Sequence, residues 1–284
     1  MEEHPFEVEV QSSGCAVLQH HAVDGEGRWA ILQSGAACQV VRAMRDHIEN
    51  VGVQRWGCAT LLNLAASKDS RDLLSEEDVA RSASGALGGH TLDCTVQRWG
   101  MGLVMNLAFS HRNREVLFKH GAVECVLAGM RCHRRNLELL RWGCGAARNL
   151  TRDSPAAQRR LVALEGGLVV VAAMQEFPLD LELQRWGVAV VYHLTQDAAS
   201  RPRLRSAAFV QALCKAARGY RRDLEVRRRS FAALAALAED DENLQMMREL
   251  GCVRLLNLAR KDSDKEVLRV TARAWQRLAV QEES

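Results

Sequence analysis

The chain has 284 residues, 48% of them hydrophobic, with 38 basic residues set against 35 acidic ones. That is long for one hydrophobic core and short for two ordinary domains, and a net charge of +3 is far below that of a typical nucleic-acid-binding domain. Only 4 prolines, 5% aromatics and long Ala/Leu/Arg/Glu stretches exclude a β-rich fold and point to helix throughout.

The N-terminus, MEEHPFEVEV, is acidic and lacks the apolar segment of a secretory signal. No stretch reaches the roughly 18 apolar residues that a membrane span needs. Glu2 and the final QEES indicate neither N-myristoylation nor prenylation. Nine cysteines form an odd set without a CxxC, the pattern of a reduced chain, so the expected location is intracellular and cytoplasmic.

In chain order, VQSSGCAVLQHHA from Val10 reads as the first apolar helix. Next come the short segment RWAILQS from Arg28, GAACQVVRAM from Gly35, and VQRWGCATLLNLA at 53 to 65. The last string sets a register, because it returns as VQRWGMGLVMNLA at 96 to 108, LLRWGCGAARNLT at 139 to 151 and LQRWGVAVVYHLT at 183 to 195. Its arginines, Arg55, Arg98, Arg141 and Arg185, stand 43, 43 and 44 residues apart, and a fixed period of this length is the signature of stacked repeats. Weaker copies follow from Val226 (VRRRSFAALAALA) and Val267 (VLRVTARAWQRLA), with Ser230 and Thr271 in place of the helix glycine.

Other residues keep the same phase. Asn50, Asp93, Asn136, Asp180, Asp223 and Asp264 each stand three residues before the marker valine or leucine, the position of a helix N-cap. A middle segment opens at Gly35, Gly121 and Gly251; Asp78 replaces that glycine once, and Glu165-Gly166-Gly167 is read as a small insertion. Each unit therefore predicts a short helix, a Gly-marked turn, a middle helix, a capped turn and a longer third helix. The units fall at about 1–23 (partial), 24–66, 67–109, 110–152, 153–196, 197–239 and 240–284, about seven in one solenoid over 1–284. Met1 is in register with Met44 and Met130, so the first unit is truncated; either further sequence precedes it or that uncapped end is a self-association surface.

This set of motifs resembles the armadillo-repeat family, with its short first helix, "GAI"-like second helix and third helix ending in "xxNLA". The resemblance covers essentially the whole chain. It implies an all-α, right-handed α-solenoid of three-helix repeats whose third helices line a concave groove that holds a protein or peptide.

A 100° wheel of the third helix puts Gly57, Cys58, Leu61 and Leu64 on the buried stripe, with Trp56 and Ala59 about 20° and 40° from Asn63. The expected open line is Trp56 and Asn63, Trp99 and Asn106, Trp142 and Asn149, Trp186 and His193, with Ala59, Gly102, Gly145 and Ala189 between them and His20 in the first copy. Asparagine amides can pair with an extended backbone, and indoles can hold apolar or cationic side chains between them. Two readings stand side by side: a ligand-binding ladder, or tryptophans packed on neighbouring repeats and asparagines bridging helices. In importin-like armadillo members the groove tryptophan precedes the asparagine by four residues; here it precedes by seven. Arg55, Arg98, Arg141 and Arg185 fall at the groove margin, either stacked on neighbouring indoles or forming a rim that selects acidic peptides.

The C-terminal half is rich in arginine, from Arg201 to Arg229, which reads as a solvated face or as a dock for an acidic partner or another domain. Nucleic acid is a third reading, weakened by the absence of interleaved aromatics. No phosphate-binding loop, HExxH or GxSxG motif occurs, so neither enzymatic activity nor a cofactor is expected. Cys125, Cys132 and His133 come nearest to a metal cluster, but their spacing matches no common zinc pattern and no metal is expected there.

Overall fold

A computed structural model describes residues 1–74, 76–259 and 264–279. It is all-helical, with no β-strand among the described residues. The chain forms two compact units, Met1–Leu150 and the remainder from Thr151.

The first unit contains α1 (Val8–His21), α2 (Gly25–Gln33), α3 (Ala36–Asp46), α4 (Val51–Leu64), α5 (Lys68–Leu73), α6 (Glu76–Gly89), α7 (Cys94–Leu107), α8 (His111–Lys119), α9 (Ala122–Cys132) and all but the last residue of α10 (Leu137–Thr151). The second contains α11 (Pro155–Ala163), α12 (Gly166–Glu176), α13 (Leu181–Gln196), a 3-10 turn (Ala198–Leu204), α14 (Ala207–Gly219), α15 (Leu224–Leu237), α16 (Asp241–Glu249), α17 (Cys252–Ala259) and α18 (Lys265–Ala279). Third helices pack in succession: α1, α4 and α7 in the first unit, α13, α15 and α18 in the second.

The predicted caps define the third helices. Asn50 accepts from the Val53 N–H at 3.0 Å, Asp93 from Val96 at 2.9 Å, Asn136 from Leu139 at 3.1 Å, Asp180 from Leu183 at 2.8 Å, Asp223 from Val226 at 2.9 Å and Asp264 from Val267 at 3.1 Å. Each bond satisfies a first-turn donor that has no partner within the helix.

The middle helices start where the chain turns left-handed, at Gly35 (φ 74°), Gly121 (φ 75°) and Gly251 (φ 68°). Glu165 takes the same conformation at φ 55°, so it occupies the glycine's place. The extra residue read at Glu165-Gly166-Gly167 lies elsewhere: the cap of α11 is Ser154, 13 residues after Arg141, whereas Ser67 follows Arg55 by 12. It is absorbed in the preceding turn, where Asp153 has φ 53°. At Asp78 no left-handed turn forms; α6 begins at Glu76 and runs through it.

The glycine of RWG brings the third helix against the middle one. A Cβ at Gly57 would fall 2.4 Å from Met44 Cγ, at Gly143 2.6 Å from Met130 Cγ, and at Gly187 2.6 Å from Met174 Cγ; at Gly14 it would meet Met1 Sδ at 2.5 Å. Around these contacts lies the core, including Leu61, Leu64, Leu103 and Leu140 in the first unit and Val190 and Leu234 in the second, all 1% exposed or less. Cys15, Cys58 and Cys144 belong to it, and burial pushes each thiol up to about 12.

Candidate binding face

The tryptophans stand where the wheel placed them, with unequal exposure. Trp56 on α4 is 41% exposed, while Trp99, Trp142 and Trp186 are half-buried. A Cβ on Gly102 of α7 would fall 3.4 Å from Trp142 Cε3, so this indole covers the small residue of the preceding third helix. The Arg98 guanidinium lies 3.8 Å from the Trp99 ring centroid, a cation–π stack.

The asparagines bridge successive repeats. Asn63 Nδ2 donates to Gln19 O at 3.2 Å, Asn106 Nδ2 to Leu62 O at 3.3 Å and Asn149 Nδ2 to Met105 O at 2.8 Å, each reaching 44 residues back. In the second unit His193 Nδ1 lies 3.1 Å from the Thr151 hydroxyl. The line is therefore not open along its length as expected. Asn149 is 1% exposed and His193 9%, and Ala59, Gly102, Gly145 and Ala189 are buried. A wheel of one helix leaves out the neighbouring helix that covers these positions. Asn63 and Asn106 stay half-open, and their Oδ1 atoms have no hydrogen-bond partner among the described residues.

The arginine rim is largely neutralised by its own chain. Arg55 pairs with Asp93, the cap of α7; Arg185 with Asp223, the cap of α15; and Arg228 with Asp264, the cap of α18. Arg98 reaches Glu138 at 3.1 Å, since the cap beside it is the neutral Asn136. Arg141 stands half-buried at the same place on α10. These pairs join consecutive third helices, which removes most of the charge that an acidic-peptide rim would need. The C-terminal arginines are similarly engaged: Arg201 with Glu239, Arg205 with Asp240 and Glu242, and Arg229 with Glu225.

This pairing has a pH signature. The hydrogen bond from Arg55 holds the Asp93 carboxyl below the usual carboxylate range, and the one from Arg228 holds Asp264 at about 2. Depressed carboxyls stabilise the fold fully above their unfolded value near ~3.9 and lose that contribution as pH falls through the folded one. The urea midpoint of the first unit should therefore decline between about pH 4 and pH 2, and less steeply in Asp93→Asn, which keeps a cap but not the charge. Equal declines in the two proteins would contradict the pairing.

Three further ladders, none of them among the expected site residues, hold the repeats. The glutamine of QRWG is buried and caps the middle helix: Gln54 Nε2 donates to Met44 O (2.7 Å) and His47 O (3.1 Å), Gln97 to Leu87 O (2.7 Å) and His90 O (3.1 Å), and Gln184 to Met174 O (2.7 Å) and Phe177 O (3.2 Å). Histidines ending the middle helices reach the preceding turn: His47 Nε2 to Pro5 O and His90 Nε2 to Ile48 O at 2.7 Å, and His133 Nε2 to Thr91 O at 2.8 Å. Arg28, Arg71, Arg114 and Arg201 on the first segments donate to the last carbonyls of the third helices, Ala22, Ala65, Ala108 and Thr195, where cations also complement the helix dipole. His47, His90 and His133 stand 43 residues apart, a signal readable from the sequence.

Cys125, read beside Cys132 and His133, instead turns its Sγ to Ser84 O at 3.5 Å. Among the described residues no group of three or more His, Cys, Asp or Glu is placed to hold a metal ion, and no helix is long and apolar enough to cross a membrane. Large apolar side chains are exposed at Phe6, Val17, Val23 and Trp29, and also at Leu92 and Leu179 in later turns.

No protein-family model matches the chain, and no curated protein matches it in sequence. Solved structures do. A designed armadillo repeat protein superposes with a TM-score of 0.70 at 16% identity, covering 84% of this chain and 98% of that one. A second designed armadillo repeat protein, in complex with the peptide (KR)4, gives 0.64 at 16% identity over 81% of this chain and 99% of that one. A structure from work on a phosphorylation switch in the interaction between cadherin and beta-catenin gives 0.68 at 12% identity, over 94% of this chain and 64% of that one. The fold is an armadillo-type helical repeat.

Proposed function

We propose that the chain is a binding scaffold that holds an extended peptide or a partner helix on its third helices. The observation that carries this reading is the line of Trp56, Trp99 and Trp142 on α4, α7 and α10, with Asn63 and Asn106 beside it. The indoles are large, rigid contact surfaces that lose little side-chain entropy on binding. The amides of Asn63 and Asn106 are held by Nδ2 to the preceding repeat, leaving Oδ1 to accept from a peptide N–H. Asn149 supports the face of the first unit from beneath, and in the second unit Trp186 and His193 mark the corresponding positions on α13. A peptide-bound designed protein of the same fold is in keeping with this reading. With Arg55, Arg98 and Arg185 paired internally, apolar and backbone contacts dominate recognition, and acidity in the ligand is secondary.

Peptides selected against the chain from a random display library test this. The double variant Trp56→Ala and Trp99→Ala should weaken the selected peptide by at least about tenfold, since buried aromatic anchors typically contribute 2 kcal/mol or more. Its helical circular dichroism should stay unchanged. Undiminished affinity in this folded variant would sink the proposal.

A further inference from the structure

At the start of α7, Cys94 is exposed and its Sγ lies 3.1 Å from Nδ1 of His133, the residue that ends α9. The other ring nitrogen, Nε2, is 2.8 Å from Thr91 O. A carbonyl only accepts, so Nε2 carries the proton, and in the neutral ring Nδ1 is the acceptor aimed at the thiol. Nucleophile, base and orienting group are thus in line. The histidine ladder explains His133 but not the thiol: in the two preceding rungs the position of Cys94 is held by Val8 and Val51.

His133, the partner of this sulfur, lines an open cleft of about 750 Å³ together with Cys132, Arg134, Arg135, Asn136, Leu137 and Glu138. Asn136 Nδ2 is 4.0 Å from Cys94 Sγ, and both arginines are exposed. Glu138 is already bonded to Arg98, so the unengaged charge facing a ligand there is positive.

We infer that Cys94, with His133 as its base, is a modification site that exchanges with small disulfides carrying carboxylates. The thiol proton passes to Nδ1 of His133, and the Cys94 sulfur attacks one sulfur of the reagent. The new S–S bond forms as the reagent's breaks, and the departing thiolate takes the proton from Nδ1. Cys94 is oxidised to a mixed disulfide, and half of the reagent leaves reduced as a thiol. Arg134 and Arg135 hold the carboxylates. The product places a bulky anionic group between the ends of α7 and α9, on a side of the repeat that the peptide-binding reading does not use.

Dithiobis(nitrobenzoate), an aromatic disulfide with two carboxylates, is the probe, with peptide mapping to assign each modified thiol. In the unmodified chain, Cys94 should react about tenfold faster than Cys38 and Cys132, the other exposed cysteines. His133→Phe should bring Cys94 to within about twofold of Cys38, as expected when a positioned base is lost. The variant is compatible with the fold, because Phe177 ends α12 at the same register position. Cystamine, a cationic disulfide, should show a smaller advantage at Cys94; an equal one would overturn the part given to the arginines. A Cys94 that reacts no faster than Cys38 in the unmodified chain, or that stays fast in His133→Phe, would overturn the inference.

Discussion

Gly143→Val should lower the stability of the first unit by about 2 to 3 kcal/mol, the usual cost of overpacking a closed core. A Cβ at this position would sit 2.6 Å from Met130 Cγ, 2.8 Å from Met130 Sδ and 3.3 Å from Met101 Sδ. The nearest atom is in mid-chain of a methionine that is itself fully buried, so it cannot swing aside into solvent. Valine is a slightly better helix former than glycine, which offsets only a few tenths of a kcal/mol. Urea unfolding followed by circular dichroism reads the change as a lower midpoint with an unaltered slope. An unchanged midpoint would show that Met130 repacks freely and that close approach of α9 and α10 does not require the glycine.

Gln97→Ala should cost about 3 kcal/mol. The side chain is 0% exposed and donates to Leu87 O and His90 O, carbonyls at the end of α6 that have lost their intrahelical donors. Removing it takes one donor from each carbonyl, at about 0.5 to 1.5 kcal/mol apiece, and adds a cavity. The Thr91 hydroxyl still donates to Leu87 O at 3.3 Å and the Asp93 N–H to His90 O at 3.1 Å. One term works in the opposite direction, since Gln97 Oε1 is itself buried without a partner. Gln97→Leu discards that orphan and fills the space, and Leu140 already stands at this position in α10, so it should cost about half as much as alanine. Comparing the denaturation midpoints of the two variants separates hydrogen bonding from volume. Equal losses would mean that the hydrogen bonds alone matter and that the volume does not.

Most of the architecture was legible because its determinants recur at one period. The RWG glycine, the Asn/Asp caps and the left-handed glycines each require a particular residue type for a steric or hydrogen-bonding reason, so they remain visible when intervening residues drift. Misreadings arose where two residue types can perform the same task. Glu165 adopts a conformation usually left to glycine, which hid the added residue at Asp153. The binding line was legible as a register but not as a surface: Trp56 is open and Asn149 is not, because exposure depends on a helix 43 residues away. The roles of the QRWG residues were also hidden. The string marked the repeat, yet its glutamine, arginine and glycine all hold helices together, leaving the tryptophan as the member with surface to offer.

The holding function is tested most directly by a structure of the chain with its selected peptide bound. The peptide should lie across α4 and α7 against Trp56 and Trp99, with backbone N–H groups on the Oδ1 atoms of Asn63 and Asn106. A peptide seated on the middle helices, with the indoles and asparagine oxygens untouched, would contradict the account.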